Sequence, residues 1–266
     1  MRQFVSEVFP DELGILKIVK KDYKYFRQVL RLSVGDMVVV RLPSNELLNM
    51  TVCKMNESLR EILLQKCDVQ DISEKVNIPS TVSNTEIWLF QFIAKGQKMD
   101  LIVRQATECG VKKIIPVIGD FCQSGTSEKN FKSERYDRII KEARQQSGSS
   151  VSTELMPSVS VLEACEIWKN FAENDNTAFG CVLYERNENT KNIFNALHEY
   201  NEIKKCAIVC GAEGGISPNE IKHFMDSGII PIHLDTNILR CETAALYGIA
   251  SVQSAVSGKK LWQLTE

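Results

Sequence analysis

Cys206-Ala207-Ile208-Val209-Cys210 runs directly into Gly211-Ala212-Glu213-Gly214-Gly215, an apolar segment of strand length breaking into a loop with three glycines in five residues. After Ile216 comes Ser217-Pro218-Asn219-Glu220. Serine can cap a helix, proline fits its first turn, and a glutamate three residues after the serine completes a capping box. The stretch therefore reads as strand, glycine-rich loop and helix start. That is the repeating unit of an α/β sheet, in which ligands bind beyond the carboxyl ends of the strands.

The same alternation extends outward. Ile87–Ile93, Lys113–Ile118, Phe179–Tyr184 and Ile229–Leu234 are further apolar runs of strand length. Lys98 to Glu108 reads as a helix with Gly110 at its C-terminal cap. Between Phe131 and Gln146, the residues Tyr136, Ile139, Ile140 and Ala143 mark one helical face. Glu242 to Val256 is the last helix, and Ser227-Gly228 ends the one opened by Ser217. Continuous apolar strands separated by helices predict a mostly parallel sheet.

The first part of the chain differs. Met37–Val40, Asn49–Cys53 and Glu61–Leu64 are short strand candidates, with turns at Gly35-Asp36 and Pro43-Ser44-Asn45. Several short strands in so small a span suggest a small barrel or sandwich. The polar segment from Gln70 to Asn84 reads as a linker. The expected organisation is a barrel over 1–72, a linker over 73–85 and an α/β domain over 86–266.

Composition narrows the function. The chain has 266 residues and a formal net charge of −2, so no global basic field gathers nucleic acid. Contact with RNA must come from a local patch. Lys17, Lys20, Lys21, Lys24, Arg27 and Arg31 lie among a single acid, Asp22, giving net +5 between residues 17 and 31. Tyr23, Tyr25 and Phe26 interleave with them, placed either to stack on bases or to face the barrel. Nine cysteines without a Cys-x-x-Cys pair, and three histidines without ligand spacing, predict reduced thiols and no metal site. No apolar run has the length of a membrane span, and the N-terminus lacks a signal peptide's apolar segment.

Two loops carry the chemistry. The glycine loop lacks both the Gly-x-Gly-x-x-Gly pattern of dinucleotide sites and the lysine of a phosphate-binding loop. Bare backbone in this position suits a flat organic ligand. The second loop, Ile238-Leu239-Arg240-Cys241-Glu242-Thr243-Ala244, follows another apolar strand and offers a cation and an anion two residues apart.

With these motifs the chain resembles the ribosomal RNA small subunit methyltransferase E family of the SPOUT superfamily. Val29-Leu30-Arg31 with Gly35-Asp36, Lys95-Gly96-Gln97-Lys98-Met99, Gln105–Val111, and Glu142-Ala143 with Gln145–Gly148 occur in the family's order. Against that pattern Ala212 stands where proline is usual, Cys109 where leucine is, and Tyr25 where histidine is. Asp235 and Asn237 stand where glycine and arginine are common, and Ser149 where arginine is usual.

The resemblance implies a SPOUT-type parallel sheet with a C-terminal trefoil knot and an N-terminal PUA-like barrel. It implies methyl transfer from S-adenosyl-L-methionine, without a metal, to uridine N3 in 16S ribosomal RNA, in the assembled 30S subunit, by a cytoplasmic homodimer. Leu183, Tyr184, Gly211, Glu213, Gly214, Gly215, Leu234, Ile238, Leu239, Thr243 and Ala244 are the implied cofactor residues. Arg240 and Glu242 are the implied catalytic residues, and the proton acceptor stays open between Glu242 and Glu213. Lys20, Lys21, Lys24, Arg27 and Arg31 are the implied RNA contacts. The small residues of the last helix (Ala244, Ala245, Gly248, Ser251, Val252, Ala255) suit a close dimer contact, packing on the helix's own sheet, or both on opposite faces. Two other readings are an RNA methyltransferase with a different target, and a ribosome assembly factor that binds RNA without catalysis.

Overall fold

The computed structural model describes residues 3–67, 85–122, 133–186 and 189–262. The expected linker over 73–85 therefore lies almost wholly outside the described residues, as does the start of the helix expected from Phe131. The chain divides into two compact units. The first comprises Met1–Ser80 with Arg144–Ser150, and the second Thr81–Ala143 with Val151–Glu266.

The first unit is built on β1 (Gln3–Val5), β2 (Ile15–Val19), β3 (Met37–Arg41), β4 (Leu47–Asn56) and β5 (Glu61–Lys66). They form one curled sheet in the order β1-β3-β4-β5-β2, antiparallel except for the β1–β3 pair. Alternate residues point inward, as period-two strands require. Met50 and Val52 of β4, and Ile62 and Leu64 of β5, are completely buried. This sheet fits the small barrel expected from the sequence. The register of β4 slips between Val52 and Lys54, a bulge that bends the strand.

The basic stretch forms β2, then α1 (Lys20–Lys24), then a π-helical turn over Tyr25–Leu30. Its aromatics answer to the core. Phe26 is fully buried, with its ring edge-on to Phe4 at 5.0 Å, and Tyr23 and Tyr25 pack against the same cluster. Phe26 is thus removed from the base-stacking candidates. Lys20, Lys21, Lys24, Arg27 and Arg31 are all exposed. Arg27 lies 3.2 Å from Glu57, and Lys17 pairs with Glu61.

The second unit carries a parallel sheet. Its strands are β6 (Glu86–Phe92), β7 (Lys113–Ile118), β8 (Glu154–Leu155), β9 (Val159–Ser160), β10 (Ala178–Leu183), β11 (Lys205–Cys210) and β12 (Ile230–Ile232). The order is β12-β10-β11-β6-β7-β8, with β9 also on β7, and every pair is parallel. Successive strand residues feed two separate cores. Leu89, Cys181 and Ile208 face one, while Phe90, Val182 and Val209 face the other.

On the first face lie α2 (Gln97–Glu108), α3 (Ser133–Ser147), α5 (Ile193–His198) and α7 (Cys241–Trp262). On the second lie α4 (Val161–Ala172) and α6 (Pro218–Asp226). Helices on both faces explain why the strands read as unbroken apolar runs. In α7, Ala245, Ile249, Val252 and Val256 are buried in this unit's own core. Of the small residues, Ala245 and Val252 serve packing within the unit, with Ala244 and Ala255 partly buried against the same core.

Because Phe26 fills the first core, Phe26→Ala is expected to destabilise that unit by about 3–5 kcal/mol in urea unfolding. Weakened RNA binding at unchanged stability would return the ring to a base-stacking role.

Candidate active site

The loops leaving β10, β11 and β12 converge with the first turns of α2 and α7 on one cleft of about 570 Å³. Leu183, Tyr184, Gly211, Glu213, Gly214, Gly215, Leu234, Ile238, Leu239, Arg240 and Ala244 all line it. Glu242 and Thr243 are not among the lining residues. They sit in the first turn of α7, where the geometry of the helix start directs the wall through Cys241 and Ala244 instead. Lys98, Glu185, His233, Thr236 and Asn237 line the cleft and were not foreseen in that role.

The glycine loop is a tight turn in which the Gly215 N–H donates to the Ala212 carbonyl at 3.0 Å. Gly215 has φ of 76°, a left-handed conformation that side chains disfavour. A Cβ at Gly214 would come within 2.7 Å of Phe121 Cβ. Backbone is what the loop can present at these two points. It is also fixed from below. The fully buried Gln91 of β6 donates from Nε2 to the Gly211 carbonyl at 3.2 Å and to the Phe92 carbonyl at 2.9 Å.

The capping box read from the sequence is present, and it does more than cap. Ser217 Oγ accepts from the Glu220 N–H, and Glu220 Oε2 accepts from the Ser217 N–H at 2.7 Å. Glu220 is almost completely buried, and its other oxygen, Oε1, accepts the Asp120 N–H at 2.7 Å. The loop after β7 is thereby tied to the start of α6, just past the glycine loop.

The charges are paired across the cleft. Glu213, at the loop's apex, takes the Lys98 ammonium at 2.9 Å and the Lys95 N–H at 3.1 Å on Oε1. Burial alone would raise the Glu213 carboxyl, but the Lys98 and backbone hydrogen bonds outweigh it and hold the group below its ordinary value. The same bond holds the Lys98 ammonium above its ordinary value. Glu242 is also held low, first by its own backbone N–H, with further help from the Cys241 thiol, which donates to Oε2 at 3.2 Å. Burial pushes that thiol up to about 12, so it stays protonated. All nine cysteines are free thiols. Among the described residues, no cluster of three or more His, Cys, Asp or Glu is arranged to hold a metal, and no helix is long and apolar enough to cross a membrane.

A family model described as an RNA methyltransferase domain matches residues 81–253. The chain belongs to this RNA methyltransferase family. The matched residues carry the whole cleft. Among relatives, the ribosomal RNA small subunit methyltransferase E 2 of Borreliella burgdorferi is 29% identical over 241 residues, covering 89% of this chain and 90% of its own. The ribosomal RNA small subunit methyltransferase E of Bacillus subtilis is 26% identical over 256 residues, covering 91% of each. Among solved structures, a ribosomal RNA small subunit methyltransferase E from Neisseria gonorrhoeae bound to S-adenosyl methionine has a TM-score of 0.75. It covers 96% of this chain and 97% of its own at 19% identity. A Legionella pneumophila methyltransferase in complex with its cofactor SAM has a TM-score of 0.76, covering 96% of each chain at 22% identity. These likenesses establish the methyltransferase fold over both units.

Lys98 was within reach of sequence reasoning. It sits in the quoted Lys95–Met99 motif, and the N-terminal turn of a helix after a strand belongs at the ligand edge of the sheet. Its partner could not be read, because Glu213 is distant in sequence. A carboxylate held low contributes to stability above its ordinary value and loses that contribution only as pH falls through the lowered one. The Lys98–Glu213 pair is thus expected to persist through mildly acidic pH. Lys98→Met should raise the Glu213 titration midpoint followed by NMR, and an unmoved midpoint would deny the pairing.

Proposed function

We propose that this chain transfers a methyl group from S-adenosyl-L-methionine to N3 of a uridine in 16S ribosomal RNA. The observation that carries the reading is the cleft itself, a wall of bare backbone facing a rim that bears Arg240 and Lys98. The relatives that are ribosomal RNA small subunit methyltransferases support the substrate, and the neighbours bound to S-adenosyl methionine support the cofactor.

The residues present suit that cofactor. Gly211, Gly214 and Gly215 leave main-chain groups open to the adenosine part, as do Ile238 and Leu239 in the opposite loop. Leu183, Tyr184 and Leu234 supply apolar wall, with Ala244 small enough to leave room. Glu213 and Glu185 place carboxylates on a site that would take a sulfonium cation. Thr243, in the first turn of α7, lies outside the lining. When bound, the cofactor supplies a methyl group already activated on sulfur, so the reaction needs no metal.

The chain's own residues must align the base and favour release of its N3 proton to water as the methyl group leaves sulfur for N3. Glu213 and Glu242 are both held low and are weak proton acceptors. Their work is to hold loops: Glu213 anchors the glycine loop to α2, and Glu242 fixes the first turn of α7. Arg240, exposed at the rim, is left to orient the uracil and stabilise its developing imide anion. The exposed Lys20, Lys21, Lys24, Arg27 and Arg31 would neutralise phosphates of the same RNA through a PUA-like first unit.

The remaining parts of this reading are a C-terminal trefoil knot, a homodimer, a cytoplasmic location and the assembled 30S particle as substrate. The Lys20–Arg31 patch, on a chain of net charge −2, favours a large RNA particle that can engage both units over a free nucleoside.

The test is nucleoside mass spectrometry of 30S subunits treated with the chain and S-adenosyl-L-methionine. The expected product is 3-methyluridine. Arg240→Ala should lower its rate of formation by roughly 100-fold or more while the melting temperature holds. Turnover at the normal rate in that variant removes Arg240 from the mechanism, and a different methylated nucleoside replaces the target.

A further inference from the structure

The first unit holds a second concentration of positive charge, away from the exposed lysines, that the proposed reaction does not use. Arg41 ends β3, and its side chain is buried, at 3% exposure. Its Nη1 donates to the Asn45 carbonyl at 2.9 Å and its Nη2 to the Gly148 carbonyl at 3.2 Å. Arg144, near the end of α3, donates from Nη2 to Asn45 Oδ1 at 3.3 Å. Asn45 thus receives both guanidinium groups, from a left-handed backbone with φ of 70°. The Nε–H groups of both arginines are buried and have no acceptor.

The charges are as poorly answered as the hydrogen bonds. Among the described residues no carboxylate pairs with either guanidinium within 4.0 Å. Glu46, on the same turn, is engaged by Ser44 Oγ at 3.1 Å instead. Arg144 lies in the last turn of α3, whose C-terminal pole is worth about half an elementary charge against two full positive ones. Burial lowers both guanidinium pKa values, and the Arg41 charge lowers that of Arg144 further. A water can satisfy an Nε–H, as it can the buried Gln3 Oε1, which also lacks a partner. Water leaves the two charges where they are. An anion with several oxygens answers both deficits, and forked guanidinium donors match phosphoryl oxygens in geometry.

We propose that Arg41, Arg144 and Asn45 form a phosphate site on the first unit, and that its ligand is a phosphodiester of the RNA carrying the target base. Arg144 is half-buried and Asn45 is exposed, so the pair can be reached from solvent at that turn. The phosphate chemistry stands by itself, whereas the RNA source rests on the ribosomal RNA reading above.

Two measurements test it. In the first, the full chain is melted in buffers of equal ionic strength containing either chloride or inorganic phosphate. Phosphate is expected to raise the melting temperature by about 2–4 °C. Arg144→Lys should keep most of that rise and Arg144→Gln should lose it. No rise in the unsubstituted chain, or an equal rise in Arg144→Gln, overturns the site. In the second, binding of a 16S ribosomal RNA fragment is followed across salt concentration. Arg144→Gln should flatten the slope of log affinity against log salt by about 0.7–0.9, the value of one phosphate contact. An unchanged slope beside a lost phosphate effect overturns the RNA source and assigns the site to free phosphate. Neither measurement reads methyl transfer, so failure here is separable from failure of the proposed reaction.

Discussion

The structure depends on holding five residues of backbone, Gly211–Gly215, open at the carboxyl edge of a parallel sheet. Three of its five residues have no side chain to fix them, and glycine's unfolded state is unusually free. Beyond the Gly215 to Ala212 turn bond, restraint comes from neighbours. Gln91 grips its first carbonyl from beneath, and Lys98 and the Lys95 N–H hold the Glu213 carboxylate at its apex. Glu220 fixes the helix start that follows, using its second oxygen to hold the loop after β7. These contacts come from β6, the loop after it, α2 and α6. The loop is open because the sheet around it is rigid.

That rigidity comes from burial on both faces. Two apolar clusters flank the strands, and the strand side chains alternate between them. Four of the cysteines, Cys165, Cys181, Cys206 and Cys210, serve as small buried hydrophobes in these cores. The polar groups that remain at the strand ends are the ones that restrain loops. Charge is distributed in the same way. The two carboxylates once open as proton acceptors are each committed to a loop or helix start, and of the two rim cations Lys98 is paired with Glu213 while Arg240 is exposed.

The sequence made the second unit's scaffold legible where the signal was local. Apolar runs gave the main strands, and Ser217 with Glu220 marked a capping box that the structure contains. The same signature at Ser160 and Glu163 opens α4, and both halves of that box are formed. Long-range pairings were less accessible. β1 runs parallel to β3, and Arg144–Ser150 belongs with the first unit, two facts that no periodicity encodes. Gln91 lay hidden in an apolar run, where its role shows only once β6 and β11 are neighbours. In the basic stretch, alternating charge and aromatic residues fitted either RNA or core, and burial of Phe26 decided its part for the core. Glu242 and Thr243, which the resemblance implies as site residues, lie in the first turn of α7 and are off the cleft lining.

The central claim is that the cleft is a receptacle for S-adenosyl-L-methionine built from exposed backbone. Isothermal titration calorimetry of the intact chain, beside Gly214→Val, tests it most directly. The account predicts saturable one-to-one binding to the unsubstituted chain and affinity at least about tenfold lower in the variant, a difference of roughly 1.4 kcal/mol. A folded chain that gives no binding heat at any temperature, or a valine variant that binds as tightly, would contradict it.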